Sequence, residues 1–202
     1  MPRRYRSTRR EESAARTRED IIVAAIQMHG EGVTDFGAVA KAASVAVPTV
    51  YKHFPSKEDL YRACTTHMRA TLQPPSIESL AAISDPTQRL RETVRQVYQL
   101  HEARLGQSWN AYCHQTESTA LAQALAAIHG FVGQVVDMLL RTTAGAMNDR
   151  ERVAAGGFAR GLLSPLGYRS LRIIGDLDPD VTAHQAITTL ACMLRIEMSA
   201  TQ

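Results

Sequence analysis

From Val47 to Lys57 the chain reads Val-Pro-Thr-Val-Tyr-Lys-His-Phe-Pro-Ser-Lys. Two hydroxyls, a phenol, an imidazole and two ammonium groups lie close together there. Donors and cations of this kind hold phosphate oxygens; nothing among them suggests bond breaking. Pro48 fits the first turn of a helix, where its missing N–H costs nothing. Val50 and Phe54 recur at helical spacing and, with Val45, are expected to face inward. Val47, Pro48, Thr49, Tyr51, Lys52 and His53 are then left outward. A short helix with that exposed face suits a DNA groove. Tyr51, His53 and Lys57 are expected on phosphates, with Val47, Pro48, Thr49 and Lys52 nearest the bases.

Other elements must hold this face in place. A helix is expected from about Ala15 to His29, with Ile21, Ile22, Ala25 and Met28 as its core side. A second spans roughly Asp35 to Ala43, capped by Thr34, which is counted among the DNA-facing residues. Ser44-Val45 makes a tight corner, and the third helix runs from Val47 to Phe54. Helix, tight turn, helix is the helix-turn-helix arrangement. Ser56 opens a fourth helix, with Asp59 at the capping-box spacing. Lys57 in its first turn opposes the helix dipole, and a phosphate held there would explain it.

From Ala43 to Leu60 the residues are Ala-Ser-Val-Ala-Val-Pro-Thr-Val-Tyr-Lys-His-Phe-Pro-Ser-Lys-Glu-Asp-Leu. This resembles the recognition-helix signature of TetR-type transcriptional regulators. The common pattern is Ala-Gly-Val-Ser, four variable positions ending near Tyr, then x-His-Phe-x-x-Lys-x-x-Leu. Tyr51, His53, Phe54, Lys57 and Leu60 stand at that spacing. Two positions depart from it. Ser44 stands where Gly is usual, which asks for a strained turn. Ala46 stands where Ser usually caps the recognition helix, so a cap worth roughly 1 kcal/mol is missing. The resemblance implies an all-α protein with a three-helix DNA-binding domain and a helical effector and dimerisation domain. It implies a homodimer on operator DNA, acting as a repressor that a small molecule releases. It also implies that the last two helices form the dimer bundle.

Met1 to Ser13 holds Arg3, Arg4, Arg6, Arg9 and Arg10 with almost nothing apolar, and is expected to be a flexible basic arm over residues 1–14. Residues 15–73 are expected as the DNA-binding domain with its connecting helix. Pro74-Pro75 marks the boundary to a helical domain over 74–202. Residues 1–73 carry 12 Lys/Arg against 8 Asp/Glu, while 74–202 carry 11 against 12. The basic end therefore coincides with the helix-turn-helix.

In the second half, Asp85-Pro86 opens a helix with Leu90, Val94, Val97 (or Tyr98) and His101 on one side. Gly106-Gln107-Ser108 is expected to break it, and a short helix follows from Trp109 to His114. A long helix from Thr116 to Ala146 carries Leu121, Leu125, Ile128, Val132, Val135 and Leu139 as one stripe. Tyr98, His101, Trp109, Tyr112, His114 and Phe131 are candidates for an effector pocket, with Arg160 as a further polar group. Such a pocket would suit a small apolar or aromatic molecule. Gly157 and Gly161 make a small-residue face. With Ile187, Leu190, Leu194 and Met198 it is the candidate dimer interface.

The 202 residues include 45% hydrophobic but only 5% aromatic, which favours helices over sheet. No apolar run is expected to reach membrane-spanning length, and no secretory signal is read at the N-terminus. Cys64, Cys113 and Cys192 are expected as buried thiols in a reducing cytoplasm. No cofactor or catalytic group is expected, and His101, His114 and His129 lack metal-ligand spacing. A regulator without an effector, or a helical enzyme or carrier with an accessory basic end, are the alternatives. A fully packed second domain would favour the former, and a cleft of perturbed titratable groups the latter.

Overall fold

The computed structural model describes residues 3–141 and 147–197, with side chains from Arg10 onward. All regular structure among them is helical. The elements are α1 (Arg3–Gly30), α2 (Phe36–Ala42), α3 (Val47–His53), α4 (Lys57–Thr71), α5 (Ile77–Ala81), α6 (Pro86–Glu102), α7 (Leu105–His114), α8 (Thr119–Arg141), α9 (Asp149–Leu162) and α10 (Pro165–Arg169). A π-helical turn (Ser170–Ile174) and α11 (Pro179–Leu194) complete the order. The chain forms two compact units: residues 1–71 with 106–125, and residues 72–105 with 126–202.

In the first unit, α1 packs against α2 and α4. Ile21, Ile22 and Ala25 meet Phe36, Val39, Val50, Phe54, Leu60 and Cys64 in one buried cluster. The helix expected from about Ala15 instead begins at Arg3. Between Arg3 and His29 there is no Pro or Gly, and Arg, Glu and Ala are strong helix formers. Extending an existing helix avoids the nucleation cost, so the basic segment is helical rather than a free arm. The side chains of Arg3, Arg4, Arg6 and Arg9 lie outside the described residues. A smaller cluster joins Tyr61 to Ala111, Ala120, Leu121 and Leu125. Gly106 belongs to this unit too. A Cβ there would lie 2.1 Å from the Gly30 carbonyl oxygen, so only glycine lets the start of α7 approach the end of α1 so closely.

The second unit is built on α6, which packs against α11 and α10. Asp85 caps α6, accepting from the Thr87 and Gln88 amides. Leu90, Val94, Val97, Tyr98 and His101 are all buried, as their spacing predicts. Asn148 and Glu151 form a capping box that starts α9. The helix break expected at Gly106–Ser108 falls earlier, at Ala103 and Arg104, and α7 already includes Gly106. Ser164, with Pro165 in the first turn, caps α10 and ends the run of α9.

Helix α8 contributes to both cores. Leu121 and Leu125 join the first unit's smaller cluster, and Val132, Val135 and Leu139 the second unit's core. The helix is long and apolar enough to cross a membrane by length and composition, contrary to expectation. Apart from half-buried Ile128, its inward stripe is nevertheless taken up by these two clusters. Ile187, Leu190 and Leu194 are likewise buried in the second unit's core. Their apolar surface is already covered within the subunit, so they are not available as interface residues. Met198 lies outside the described residues. Of the cysteines, Cys64 is buried, while Cys113 and Cys192 are exposed on the outer faces of α7 and α11.

His101 donates from Nε2 to the Leu163 carbonyl at 2.9 Å and lies beside Tyr98 and Tyr168. Burial pushes its imidazole down to about 4. An unfolded chain titrates this group near 6.5, so it takes up the proton first as pH falls. Stability is therefore intact above about pH 6.5 and is lost as pH falls toward 4, by on the order of 3 kcal/mol. Urea unfolding at pH 7, 6 and 5 should show this decline, and His101→Gln should lessen it, the buried His29 imidazole keeping the remainder. Equal pH slopes for the two proteins would refute the assignment.

Candidate nucleic-acid interface

The cap of α2 is Asp35, not Thr34. The Asp35 carboxylate accepts from the Ala38 amide at 2.9 Å and caps α2. Thr34 is half-buried, immediately before the cap. At the other end of α2, Val45 N–H donates to the Ala40 carbonyl at 2.9 Å and Ser44 N–H to the Lys41 carbonyl at 3.1 Å. This pair of bonds is a Schellman motif. Its left-handed residue is Ser44, at φ 56, where glycine is usual.

Helix α3 follows at once. Ala46 is its N-cap residue and offers no side-chain hydrogen bond. Val50 and Phe54 are buried against α1 and α2, and Val45 packs on the same cluster. The Arg18 guanidinium lies 4.8 Å over the Phe54 ring, a cation–π contact that also covers it. Fixing Val50 and Phe54 turns the rest of the helix outward. Val47, Pro48, Tyr51 and Lys52 are exposed, and Thr49 and His53 half-buried. Tyr51 leans on Phe36, with ring centroids 4.9 Å apart, so its ring is braced. No acidic residue lies between Val47 and His53. A groove of about 490 Å³ in the same unit is different, for Arg18, Glu19, Asp59 and Arg62 put both signs of charge on its walls.

Ser56 starts α4 as its spacing predicts. Its Oγ accepts from the Asp59 amide at 3.2 Å and donates to the Asp59 carboxylate at 2.6 Å. Lys57 is exposed in that first turn. Behind it sits His29, buried, with its ring 4.9 Å from Tyr61. Burial first, then the charges of His114 and Lys57, push the His29 imidazole down to about 4. The imidazole is therefore neutral near pH 7, and adds no positive charge behind Lys57.

The six pocket candidates are divided between the two units. Trp109, Tyr112 and His114 belong to the first unit, and Tyr98, His101 and Phe131 to the second. Trp109 is exposed. His114 lies 3.5 Å from Glu117 and stacks on Tyr61 at 6.5 Å. Tyr98 donates to the Leu162 carbonyl at 3.0 Å, so its hydroxyl, like the His101 ring, serves the core. Arg160 is paired with Asp137 at 2.7 Å. Among the described residues no group of three or more His, Cys, Asp or Glu side chains could hold a metal ion. Sequence reasoning missed Tyr61, Glu58 and His29, whose partners are distant in the chain.

Comparison with known proteins gives three results. Residues 21–64 match the family model for bacterial regulatory proteins of the tetR family. Solved structures of similar fold include a TetR-like transcriptional regulator from Rhodococcus sp. RHA1, with 15% identity and TM-score 0.62, covering 90% of this chain and 97% of that one. They also include NalD, the secondary repressor of the MexAB-OprM multidrug efflux pump in Pseudomonas aeruginosa, with 23% identity, TM-score 0.55 and coverage of 91% and 96%. A third is a putative fatty acid metabolism regulator from Clostridium perfringens, with 13% identity, TM-score 0.60 and coverage of 89% and 99%. At these identities the likeness is one of fold. No curated protein matches the sequence.

The strain at Ser44 can be measured. A non-glycine residue held in the left-handed region costs on the order of 1 kcal/mol. Ser44→Gly should therefore raise the urea midpoint, at constant m-value, by about 0.5–1 kcal/mol of stability. A lower midpoint would mean that the Ser44 side chain contributes more than its backbone costs.

Proposed function

We propose that this chain, a regulator of the tetR type by its DNA-binding domain and its fold, acts as a homodimeric repressor on a pseudo-palindromic operator. The observation that carries this reading is the donor-rich face of α3. It is free of acid, it is held outward by buried Val50 and Phe54, and Lys57 follows it. In this reading Tyr51, His53 and Lys57 hold phosphates, and Val47, Pro48, Thr49 and Lys52 meet the bases. Thr34, half-buried just before α2, lies beside this set. Residues 15–73 carry DNA binding and residues 74–202 the effector and dimer functions, with 106–125 packed into the DNA-binding unit. A partner of this kind places the protein in the bacterial cytoplasm. Repression is the mode assigned, in line with the stated role of NalD. The effector is a small apolar or aromatic molecule, which the low charge of α8 supports. By linkage, such an effector weakens operator binding by the factor with which DNA weakens its own.

The dimer reading rests on α9. A Cβ at Gly157 or Gly161 meets nothing in its own chain, and both glycines are exposed. Val153 and Phe158 are exposed on the same helix. Small residues beside uncovered apolar ones suit the close approach of a second helix.

Two measurements test this function. Removing one phosphate contact should weaken binding across sequences and reduce the log–log salt slope by about 1. Lys57→Ala should do so, and full affinity with an unchanged slope would refute its role. Gly161→Leu leaves its own chain unobstructed but pushes a partner helix away. Sedimentation should show folded monomers, and a dimer of normal affinity would place the interface elsewhere.

A further inference from the structure

Glu58 follows Lys57 in the first turn of α4, yet its carboxylate serves another helix. Glu58 Oε2 accepts from the Ser118 hydroxyl at 2.6 Å, and Oε1 accepts from the Ala120 amide at 3.0 Å. Ser118 Oγ in turn accepts from the Leu121 amide at 3.2 Å. Two of the free amides at the start of α8 are thus satisfied, one by a serine and one by a carboxylate about sixty residues away in sequence. Ser118 is buried, and the Glu58 side chain is 30% exposed. Charge-assisted bonds in such a setting are the stronger kind, and the positive end of α8 adds to them. Arg62 approaches the same carboxylate at 3.3 Å from the solvent side.

The surroundings are closely packed. The close approach of Gly106 to Gly30 and the Gln107 bond to the Ile26 carbonyl at 3.4 Å hold the start of α7 on α1. Tyr61, one turn along α4 from Glu58, is clamped between His29 and His114. The first turn of α4 is thereby referred to the segment that leads into α8. The later turns of α8 belong to the second unit.

We propose that Glu58 is a positioning residue for DNA binding: by capping α8 it fixes the first turn of α4, and Lys57 with it, against the phosphate backbone. This rests on the reading of Lys57 as a phosphate contact. It makes a displacement of the first turn of α8 felt at Lys57 through one side chain. Plain electrostatics says the opposite of Glu58, since removing an acid beside a polyanion should tighten binding. The two accounts therefore differ in sign.

The test uses the full-length protein and duplexes that it enriches from a random-sequence DNA library. Affinity is measured against salt for the wild type, Lys57→Ala, Glu58→Ala and the double variant, with folding followed by circular dichroism. Glu58→Ala should bind about tenfold more weakly, with a salt slope lower by about 1, because Lys57 no longer seats on its phosphate. The double variant should bind no more weakly than Lys57→Ala, the mark of two residues acting as one. If Glu58→Ala does not fold, Glu58→Gln, which keeps the shape but not the charge, decides the matter with the same signs. Unchanged or tighter binding, a loss at constant slope, or a loss additive with that of Lys57→Ala overturns the positioning role and leaves DNA binding standing. A wild type that enriches no duplex overturns both.

Discussion

The chain must reverse between α2 and α3 with almost no residues to spare, and that constraint governs the rest of the DNA-binding unit. The reversal puts Ser44 into the left-handed region so that the Val45 and Ser44 amides can reach back to Ala40 and Lys41. Only with that turn closed does α3 begin at Val47 and Val50 reach the core beside Phe36 and Val39. Burying Val50 and Phe54 then turns Tyr51 and Lys52 outward and leaves Thr49 and His53 at the edge of the buried side. A helix this short has little stability of its own, and it lacks a side-chain cap at Ala46. Its outward face is held by packing, by the brace of Tyr51 on Phe36 and by Arg18 over Phe54.

Helix ends supply most of the polar logic elsewhere. Asp35, Ser56, Ser76, Asp85, Asn148, Ser164 and Asp178 each satisfy amides at the start of the helix they precede. Glu58 does the same for a helix other than its own, which turns a local device into a tertiary tie. Lys57 sits beside that carboxylate, at a helix N-terminus that disfavours cations unless an anion comes to meet them.

Two apolar patterns that look alike in sequence have different fates. The stripe of α11, with Ile187, Leu190 and Leu194, is spent on the core of the second unit. The face of α9 with Val153, Gly157, Phe158 and Gly161 is left open. Apolar spacing shows that a helix has a side to bury, not against what.

The sequence by itself determined the elements that rest on local rules. The two helices and tight turn around Ser44, the inward set Val50 and Phe54, the caps at Ser56 and Asp85 and the buried side of α6 depend on spacing and on bonds within a few residues. The start of α1 is not legible locally, because a run of Arg with little apolar content reads as a solvated tail, although the same residues extend a helix once one exists. What only the tertiary structure decided involves partners far apart in sequence. The division of the aromatic candidates between two units, the burial of the α11 stripe and the cap that Glu58 places on α8 are of this kind. Periodicity states that a side chain is inward or outward, but the identity of its neighbour is set by how helices pack, and that information is not local.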